Sequence, residues 1–172
     1  MKLKDVDINI LSELLKNSKI SDRKLAEKIQ VSQPTVTRRR ARLERKLSIH
    51  YTSLPNFRKL NLEILAFNLI HWKPEKYESR PDKDAFMKRV LEFREKHPNI
   101  ILASDGMGLG FTRIAVTFHK DYTDYVKFAN EFRSGWGEYI QKFESFIVSL
   151  ESEKALRLLD FSHLAEYIRA VK

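Results

Sequence analysis

The first third of the chain repeats apolar residues every three or four positions, which is the spacing of amphipathic helices. The first stripe consists of Val6, Ile10, Leu11, Leu14 and Leu15. A second, short helix is predicted to begin after Ser21, because serine caps helix N-termini. A third helix is predicted from about Gln33 to Lys46, after a turn in which Ser32 caps and Pro34 suits the first turn. Three helices with a tight turn before the third predict a helix-turn-helix module, whose third helix enters the DNA major groove.

The remainder of the chain alternates apolar strands with amphipathic helices. Strands are predicted at 62–72, 100–103, 111–119 and 142–150, and helices at 84–96 and 123–132. The order strand-helix-strand-strand-helix-strand is that of a ferredoxin-like α/β sandwich. The first strand is apolar on both faces, whereas such a sheet has helices on one face only. The sheet of a second, identical subunit is the simplest structure that could cover the other apolar face, so the pattern predicts a homodimer.

The charge is concentrated in the helical third. The chain holds 32 Lys and Arg against 23 Asp and Glu, a formal net charge of +9. Residues 1–60 hold 15 of the basic residues and 6 of the acidic ones, whereas residues 61–172 hold 17 of each. A basic module joined to a neutral one predicts a polyanion-binding domain attached to a domain with another task.

Several functional classes are disfavoured by what the sequence lacks. The chain has no cysteine, which excludes disulfides, thiolate zinc sites, iron–sulfur clusters and a cysteine nucleophile. The five histidines do not fall at metal-ligand spacing, and no GxSxG, P-loop or HExxH motif is present. We therefore expect no enzyme, metal or cofactor. The apolar stretch 64–70 is far shorter than the roughly 20 residues of a membrane span, and the N-terminus lacks an apolar signal core. We expect a cytoplasmic protein without a membrane partner.

The predicted third helix carries arginine on the face opposite Val36 and Leu43. The residues of that face are Pro34, Arg38, Ala41, Arg42 and Arg45, with Thr35 and Thr37 on its flanks. A guanidinium group can bridge a guanine edge or a phosphate, and a threonine hydroxyl can reach either. Only Glu44 interrupts the run from Arg38 to Lys46 with an acidic residue. The pattern favours DNA binding over an ordinary solvated helix face.

The forty residues DVDINILSELLKNSKISDRKLAEKIQVSQPTVTRRRARLE carry a pattern that is specific to one family. Its features are Asp7, Ile10-Leu11, Asn17–Ser21, Leu25-Ala26, Ser32, Thr35-Val36, Arg38-Arg39 and Leu43-Glu44. This pattern resembles the N-terminal domain of the leucine-responsive/asparagine-response (Lrp/AsnC) regulators. The resemblance implies a winged helix-turn-helix, with the wing at Ser48–Ser53, and a C-terminal domain of the kind called RAM (regulation of amino acid metabolism). It also implies a homodimer that can assemble further, to a tetramer or an octamer.

Three positions depart from the family pattern. Gln30 stands where a glycine usually ends the second helix, so a glutamine is predicted to adopt the left-handed turn conformation. Leu47 replaces the glycine that leads into the wing. Arg40 replaces a Val or Ile that faces the core, so its guanidinium is expected either to extend to solvent or to pair with a carboxylate.

Pattern and resemblance together define domains and a candidate site. The expected fold class is α+β, with a winged helix-turn-helix domain at 1–58, a ferredoxin-like dimerisation and effector domain at 61–150, and a helical extension at 151–172. The candidate DNA-binding residues are Ser32, Gln33, Thr35, Thr37, Arg38, Arg39 and Arg42. Arg38 and Thr37 are predicted to reach bases. The side chains of Ser32, Thr35, Arg39 and Arg42 are predicted to hold phosphates.

The glycine-rich segment 105–110 is the candidate effector site, through Gly106, Gly108 and Gly110. The sequence favours a simpler explanation, in which the segment is a strand–strand connection and its glycines supply positive φ. In the family, an effector pocket lies near this connection and carries acidic residues, which Leu109 and Phe111 replace here. The sequence leaves open whether a small-molecule effector binds.

The expected function is that of a sequence-specific transcription regulator acting on double-stranded DNA, but two alternatives remain open. An architectural protein that coats DNA would need the same basic helix, because phosphate contacts supply most of the affinity in both cases. Sirohaem decarboxylases are similar to Lrp/AsnC proteins in layout and bind a tetrapyrrole in the second domain, where Arg113 and His119 would be candidates. The arginine cluster at 38–45 favours DNA.

Overall fold

The computed structural model describes residues 3–75, 83–152, 154 and 160–170. The chain forms two compact units. One comprises residues 1–54 together with 156–172, and the other comprises residues 55–155. Residues 156–172, most of the predicted helical extension at 151–172, thus group with the first unit. We call the first the helical unit and the second the sheet unit.

The described residues of the helical unit form four helices, and the first three enclose an apolar core. They are α1 (Asp5–Lys16), α2 (Asp22–Ile29), α3 (Gln33–Leu47) and α6 (Leu164–Ala170). The fully buried side chains of Ile10, Leu25, Val36 and Leu43 form the centre of the core. These residues follow the predicted apolar stripes, so the three N-terminal helices are confirmed with small shifts of their ends.

The predicted wing is wrong. Residues 49–56 adopt neither strand nor helix. Ser48 ends α3 in the left-handed conformation, with φ of 48°, and this redirects the chain. The hydroxyl of Tyr51 then donates to Glu44, so the segment folds back against α3 instead of pairing as a ribbon.

The sheet unit has the ferredoxin-like topology that the pattern predicts. A short 3₁₀ helix (Phe57–Leu60) precedes the strands β1 (Ile64–Trp72), β2 (Ile100–Gly108), β3 (Phe111–His119) and β4 (Ile140–Ser149), with the helices α4 (Lys83–Lys96) and α5 (Tyr122–Trp136) between them. The strands form one antiparallel sheet in the order β2-β3-β1-β4. Both helices pack on the same face, where Trp72, Phe86 and Trp136 form an aromatic cluster.

The opposite face of the sheet is apolar but only partly covered. Phe57 stacks on Phe118 with ring centroids 4.5 Å apart and shields one end of it. Farther along, Phe146 is 69% exposed and Leu102 is 49% exposed. The two-sided apolar strand expected from the sequence is thus present, and one face of its sheet carries large side chains in contact with solvent.

A chain of polar side chains crosses the helix-covered face. Ser145 Oγ donates to Asn68 Oδ1 at 2.7 Å, and Asn68 Nδ2 donates to Thr117 Oγ1 at 3.0 Å. Thr117 Oγ1 lies 2.8 Å from His119 Nε2. Because Thr117 already accepts from Asn68, its hydroxyl hydrogen is free to donate to Nε2. On the other side of the ring, His119 Nδ1 lies 3.5 Å from both Asp124 Oδ2 and Asn99 Nδ2.

The stability of the protein is expected to fall as this histidine is protonated. Burial lowers the pKa of His119 below its ordinary value of about 6.5, although Asp124 opposes the shift. The unfolded chain therefore takes up the proton first, and the free energy of unfolding decreases from about pH 6.5 down to the lowered pKa of the folded state. Burial also lowers the pKa of His97, so protonation of that residue adds to the loss of stability over the same pH range.

Urea unfolding at about pH 7.5 and about pH 5.5 measures this loss. The loss should be smaller in His119→Gln than in the unsubstituted protein, whereas His50→Gln, at an exposed position, should keep the full loss. An equal loss in His119→Gln and in the unsubstituted protein would show that the ring does not titrate differently in the two states.

Candidate nucleic-acid interface

The turn between α2 and α3 is built without glycine. Gln30 caps α2 in the left-handed conformation with φ of 56°, as the departure from the family pattern predicts. Ser32 follows as the N-cap of α3, and its Oγ lies 2.8 Å from Thr35 Oγ1. Pro34 occupies the first turn and Val36 is fully buried, so this end of α3 is fixed against the core.

Gln30→Gly is expected to raise the free energy of unfolding by about 1 kcal/mol. A residue with a Cβ atom is destabilised by about that much in the left-handed conformation, whereas glycine has no Cβ and is not. The Gln30 side chain is exposed, so few contacts are lost. The midpoint of urea unfolding should rise at constant slope. Gln33→Gly is the control, because it makes the same substitution at an exposed position where the backbone is helical. Glycine is unfavourable in a helix, so this variant should be less stable than the unsubstituted protein. A lower midpoint for Gln30→Gly would contradict this account of the turn.

The outer face of α3 exposes two arginines. Arg38 and Arg45 are both exposed and lie seven residues apart, which is two helical turns on one face. Across the described ranges of the chain, neither side chain forms an ion pair. Pro34 lies before Arg38, and Ala41 lies between the two arginines; both are exposed. Neither has a long side chain that would block access of a ligand to the guanidinium groups. This arrangement presents two guanidinium groups to any ligand that meets the face.

A buried carboxylate in α1 holds two further arginines of α3. Asp7 is fully buried, and its Oδ1 accepts from Arg39 Nη1 at 2.8 Å. Its Oδ2 accepts from Arg42 Nη2 at 2.9 Å and from the backbone N–H of Lys4 at 3.1 Å. Burial would raise the pKa of Asp7, but the hydrogen bonds from Lys4 and Arg39 and the two positive charges hold the pKa below its ordinary value. Asp7 therefore stays ionised and fixes α3 on α1.

Arg40 is held on the other side of α3. Its Nη1 donates to Asp22 Oδ1 and to the carbonyl oxygen of Ile20, both at 3.0 Å, and its Nε donates to Glu44 Oε1 at 3.0 Å. Of the two expectations for this departure from the family pattern, pairing with carboxylates is the one observed. Arg40 therefore joins α3 to the start of α2.

The predicted DNA-binding residues divide into two groups in the structure. The exposed ones are Ser32, Gln33, Thr37 and Arg38. The hydroxyl of Thr37 donates to Asp22 Oδ2 at 2.7 Å, so its orientation is set by α2. The other three, Thr35, Arg39 and Arg42, are half-buried, and the two arginines are paired with Asp7. Arg45, which the helical pattern places on the same face, was not among the predicted binding residues although its side chain is exposed.

The predicted effector glycines lie in a hairpin. Gly106 and Gly108 are part of β2, which extends beyond its predicted end, and only Leu109 and Gly110 form the turn. Both turn residues have positive φ, 52° and 76°, as the connection between two strands requires. A side chain added at any of the three glycines would meet no atom within 4 Å. The described residues of this chain therefore do not enclose a pocket around them.

The residues considered for tetrapyrrole binding are engaged in other contacts. His119 is fully buried against Thr117, and Arg113 forms an ion pair with Asp105 and lies over the ring of Trp72. Within 3–75, 83–152, 154 and 160–170, no cluster of His, Asp and Glu side chains is suited to hold a metal ion. No helix in those same ranges is long and apolar enough to cross a membrane.

Comparison with known proteins identifies the class of the three N-terminal helices. Residues 3–44 match the family model of the AsnC-type helix-turn-helix domain. The resemblance to the Lrp/AsnC regulators is thus confirmed: residues 3–44 form an AsnC-type helix-turn-helix domain, and the chain has the α+β fold of solved regulators of this kind.

Two of the similar proteins are named as transcription regulators. Over 44 residues the chain is 50% identical to the HTH-type transcriptional regulator LrpC of Bacillus subtilis, a match that covers 26% of this chain and 31% of LrpC. The structure of LrpC matches 91% of this chain and 100% of its own, with a TM-score of 0.67 and 25% identity. The transcriptional regulator NMB0573 of Neisseria meningitidis, solved as a complex with L-Met, matches 95% of this chain and 99% of its own, with a TM-score of 0.71 and 23% identity.

Proposed function

We propose that the protein is a sequence-specific DNA-binding transcription regulator of the Lrp/AsnC type that acts as a dimer or a higher oligomer. The observation that carries the proposal is the outer face of α3, where Arg38 and Arg45 stand exposed on an AsnC-type helix-turn-helix domain. Guanidinium groups on the exposed face of such a helix suit the guanine edges and phosphates of the major groove.

The contacts around α3 suggest a division of tasks. Arg38 and Thr37 are proposed to read bases, and Ser32 and Thr35 at the start of the helix are proposed to bind phosphate. The pairing of Arg39 and Arg42 with Asp7 supports a positioning role for them, because the ion pairs orient the helix that carries the reading residues. A role in phosphate binding for these two arginines stays a prediction.

Dimerisation is proposed to use the uncovered face of the sheet. Phe146 and Leu102 expose large apolar side chains there, beside the partly buried Phe67. Exposed patches of this kind mark protein–protein contacts, and pairing them would remove apolar surface from water. A dimer carries two copies of α3, which together read a palindromic site.

A small-molecule effector is a further element of the proposal. The neighbouring Neisseria protein was solved with L-Met. In this chain Leu109 and Phe111 stand at the positions where the family pattern has acidic residues, so the carboxylates that would bind an amino-acid ammonium group are replaced by apolar side chains. We therefore expect an effector other than a free amino acid, or none.

Titration of the protein into labelled duplex DNA, at several salt concentrations, tests the DNA-binding part. The logarithm of the binding constant should fall linearly with the logarithm of the salt concentration, with a slope of about 0.9 for each phosphate contact. Sedimentation velocity on the same sample should show a dimer or a larger assembly. Absence of duplex binding even at low salt would overturn the proposal.

A further inference from the structure

The helical unit carries a groove on the side where α1 ends. It is lined by the end of α1, by the segment 49–54 and by Asp160, Phe161 and Ile168 of the C-terminal segment. Its volume is about 970 Å³, within the range of about 300–1,000 Å³ that is usual for small-molecule sites. All of the described residues that line it belong to the helical unit, and none of them is a candidate DNA-binding residue. We call it the α1 groove.

The wall of the α1 groove is largely apolar. Leu14 is nearly buried and closes the groove against the core of the helical unit. Leu54 is 41% exposed and Phe161 is 49% exposed, so apolar side chains of the wall are in contact with water. A ligand with an apolar chain or ring would remove this surface from water, which is favourable.

The charged side chains at the α1 groove leave one cation available to a ligand. Lys16 Nζ lies 3.9 Å from Glu166 Oε1. The carboxylate of Asp160 accepts from the backbone N–H and from the hydroxyl of Ser162, at 2.9 Å and 2.6 Å. Lys19 also lines the groove, is exposed, and forms no ion pair within the described part of the chain. Because an ammonium group donates its strongest hydrogen bonds to an anion, the groove suits a molecule with an apolar body and a carboxylate at one end.

One residue of the α1 groove also contacts α3. Tyr51 lines the groove, and its hydroxyl donates to Glu44 and accepts from Arg40 Nε at 3.2 Å. Arg40 in turn donates to Asp22 Oδ1 at 3.0 Å, and Asp22 Oδ2 accepts from the hydroxyl of Thr37 at 2.7 Å. Polar contacts therefore connect the groove to a residue of α3 that is proposed to read bases.

We propose that the α1 groove binds a small amphipathic carboxylate, with its apolar part against Leu14 and Phe161 and its carboxylate at Lys19, and that the bound molecule strengthens DNA binding. A ligand packed on the ring of Tyr51 favours the conformation in which the Tyr51 hydroxyl contacts α3. It thereby shifts the population toward the state in which the contacts around α3 are formed. The effect on DNA rests on the proposed function, whereas binding of the carboxylate does not.

Calorimetric titration of the full chain with decanoate, in the absence of DNA, tests the site. Decanoate should bind at least about tenfold more tightly than decyltrimethylammonium, which has the same chain and a positive end, and than acetate, which has no chain. Lys19→Glu should weaken decanoate binding by about tenfold or more. Lys127→Glu makes the same change at an exposed position of the sheet unit, where the described residues form no ion pair with it, and should leave the binding unchanged.

A second matched pair tests the apolar wall. Phe161→Asp places a charge in the α1 groove, whereas Tyr167→Asp adds the same charge at a position that is 65% exposed and does not line the groove. The first should abolish decanoate binding and the second should not, while amide NMR spectra check that both variants keep the fold. Absence of decanoate binding to the unsubstituted protein, or binding that Lys19→Glu and Phe161→Asp leave unchanged, would overturn the site.

Titration into labelled duplex DNA, with saturating decanoate or with acetate at the same concentration, tests the effect on α3. Decanoate should tighten DNA binding by about fivefold or more. Tyr51→Phe keeps the ring but removes the hydroxyl, so it should bind decanoate within about threefold of the unsubstituted protein and lose the gain in DNA affinity. No gain in the unsubstituted protein, or the full gain in Tyr51→Phe, would overturn the coupling. Failure of every protein to bind any duplex would overturn the proposed function and the coupling with it, whereas the carboxylate site would stand on the calorimetry.

Discussion

Asp7→Ala is expected to lower the free energy of unfolding by about 3–5 kcal/mol, which is the usual cost of removing one partner of a buried charge network. Asp7 binds Arg39 at 2.8 Å and Arg42 at 2.9 Å, and it also accepts from the backbone N–H of Lys4. Without the carboxylate, two half-buried guanidinium groups lose their counter-charge. The attachment of α3 to α1 weakens with them.

Chemical denaturation monitored by circular dichroism measures this loss. Glu27→Ala is the matched control, because it removes a carboxylate from an exposed ion pair with Arg23 and should cost less than about 1 kcal/mol. The contribution of Asp7 to the free energy of unfolding is fully present at pH values above the ordinary aspartate pKa of about 4. It is lost as the pH falls through the lower pKa that Asp7 has in the folded protein. A loss no larger than that of Glu27→Ala would show that the buried pair does not hold α3.

Arg38→Ala is expected to weaken binding to the preferred DNA site by about 1–3 kcal/mol, if its guanidinium group reads a guanine. Across the described residues the side chain forms no ion pair, and it is exposed at the centre of the outer face of α3, so its removal leaves the fold intact. The loss corresponds to roughly five- to 150-fold in the dissociation constant. The preference at one base position should relax at the same time.

Titration of variants into matched and single-mismatch duplexes separates base reading from phosphate binding. Arg45→Ala should weaken binding to all sequences about equally if Arg45 binds phosphate. Arg94→Ala removes the same charge from an exposed position in the sheet unit and should change little. Unchanged sequence preference in Arg38→Ala would show that Arg38 contacts only the DNA backbone.

The local features of the helical unit could be predicted because they depend on residues close in sequence. Apolar spacing placed Val36 and Leu43 in the core and Arg38 outside it. The resemblance to the family identified Gln30 as a residue that must adopt a glycine conformation, and its φ of 56° agrees. Strand order in the sheet followed from the alternation of strands and helices, which few topologies satisfy.

The features that could not be predicted depend on contacts between residues far apart in sequence. Asp7 and Arg42 are 35 positions apart, and Ser12 and Ala165 are 153 positions apart. The sequence around one residue of such a pair does not indicate which distant residue it contacts. The wing illustrates the converse, since Ser48–Ser53 alternates as a strand does, yet the bonds of Tyr51 to α3 hold that segment in another conformation. Likewise β2 continues through the glycines because Gly108 pairs with Phe111 of β3.

Selection of binding sites from a random DNA pool by the full chain, followed by footprinting on the enriched sequence, tests the central claim most directly. A dimeric regulator that reads bases through α3 should enrich a palindrome whose half-sites are spaced by about one helical turn, with protection confined to that site. The same selection with and without a panel of amino acids shows whether an effector changes the result. Absence of enrichment together with long cooperative footprints would contradict the claim and identify a protein that coats DNA with little regard to sequence.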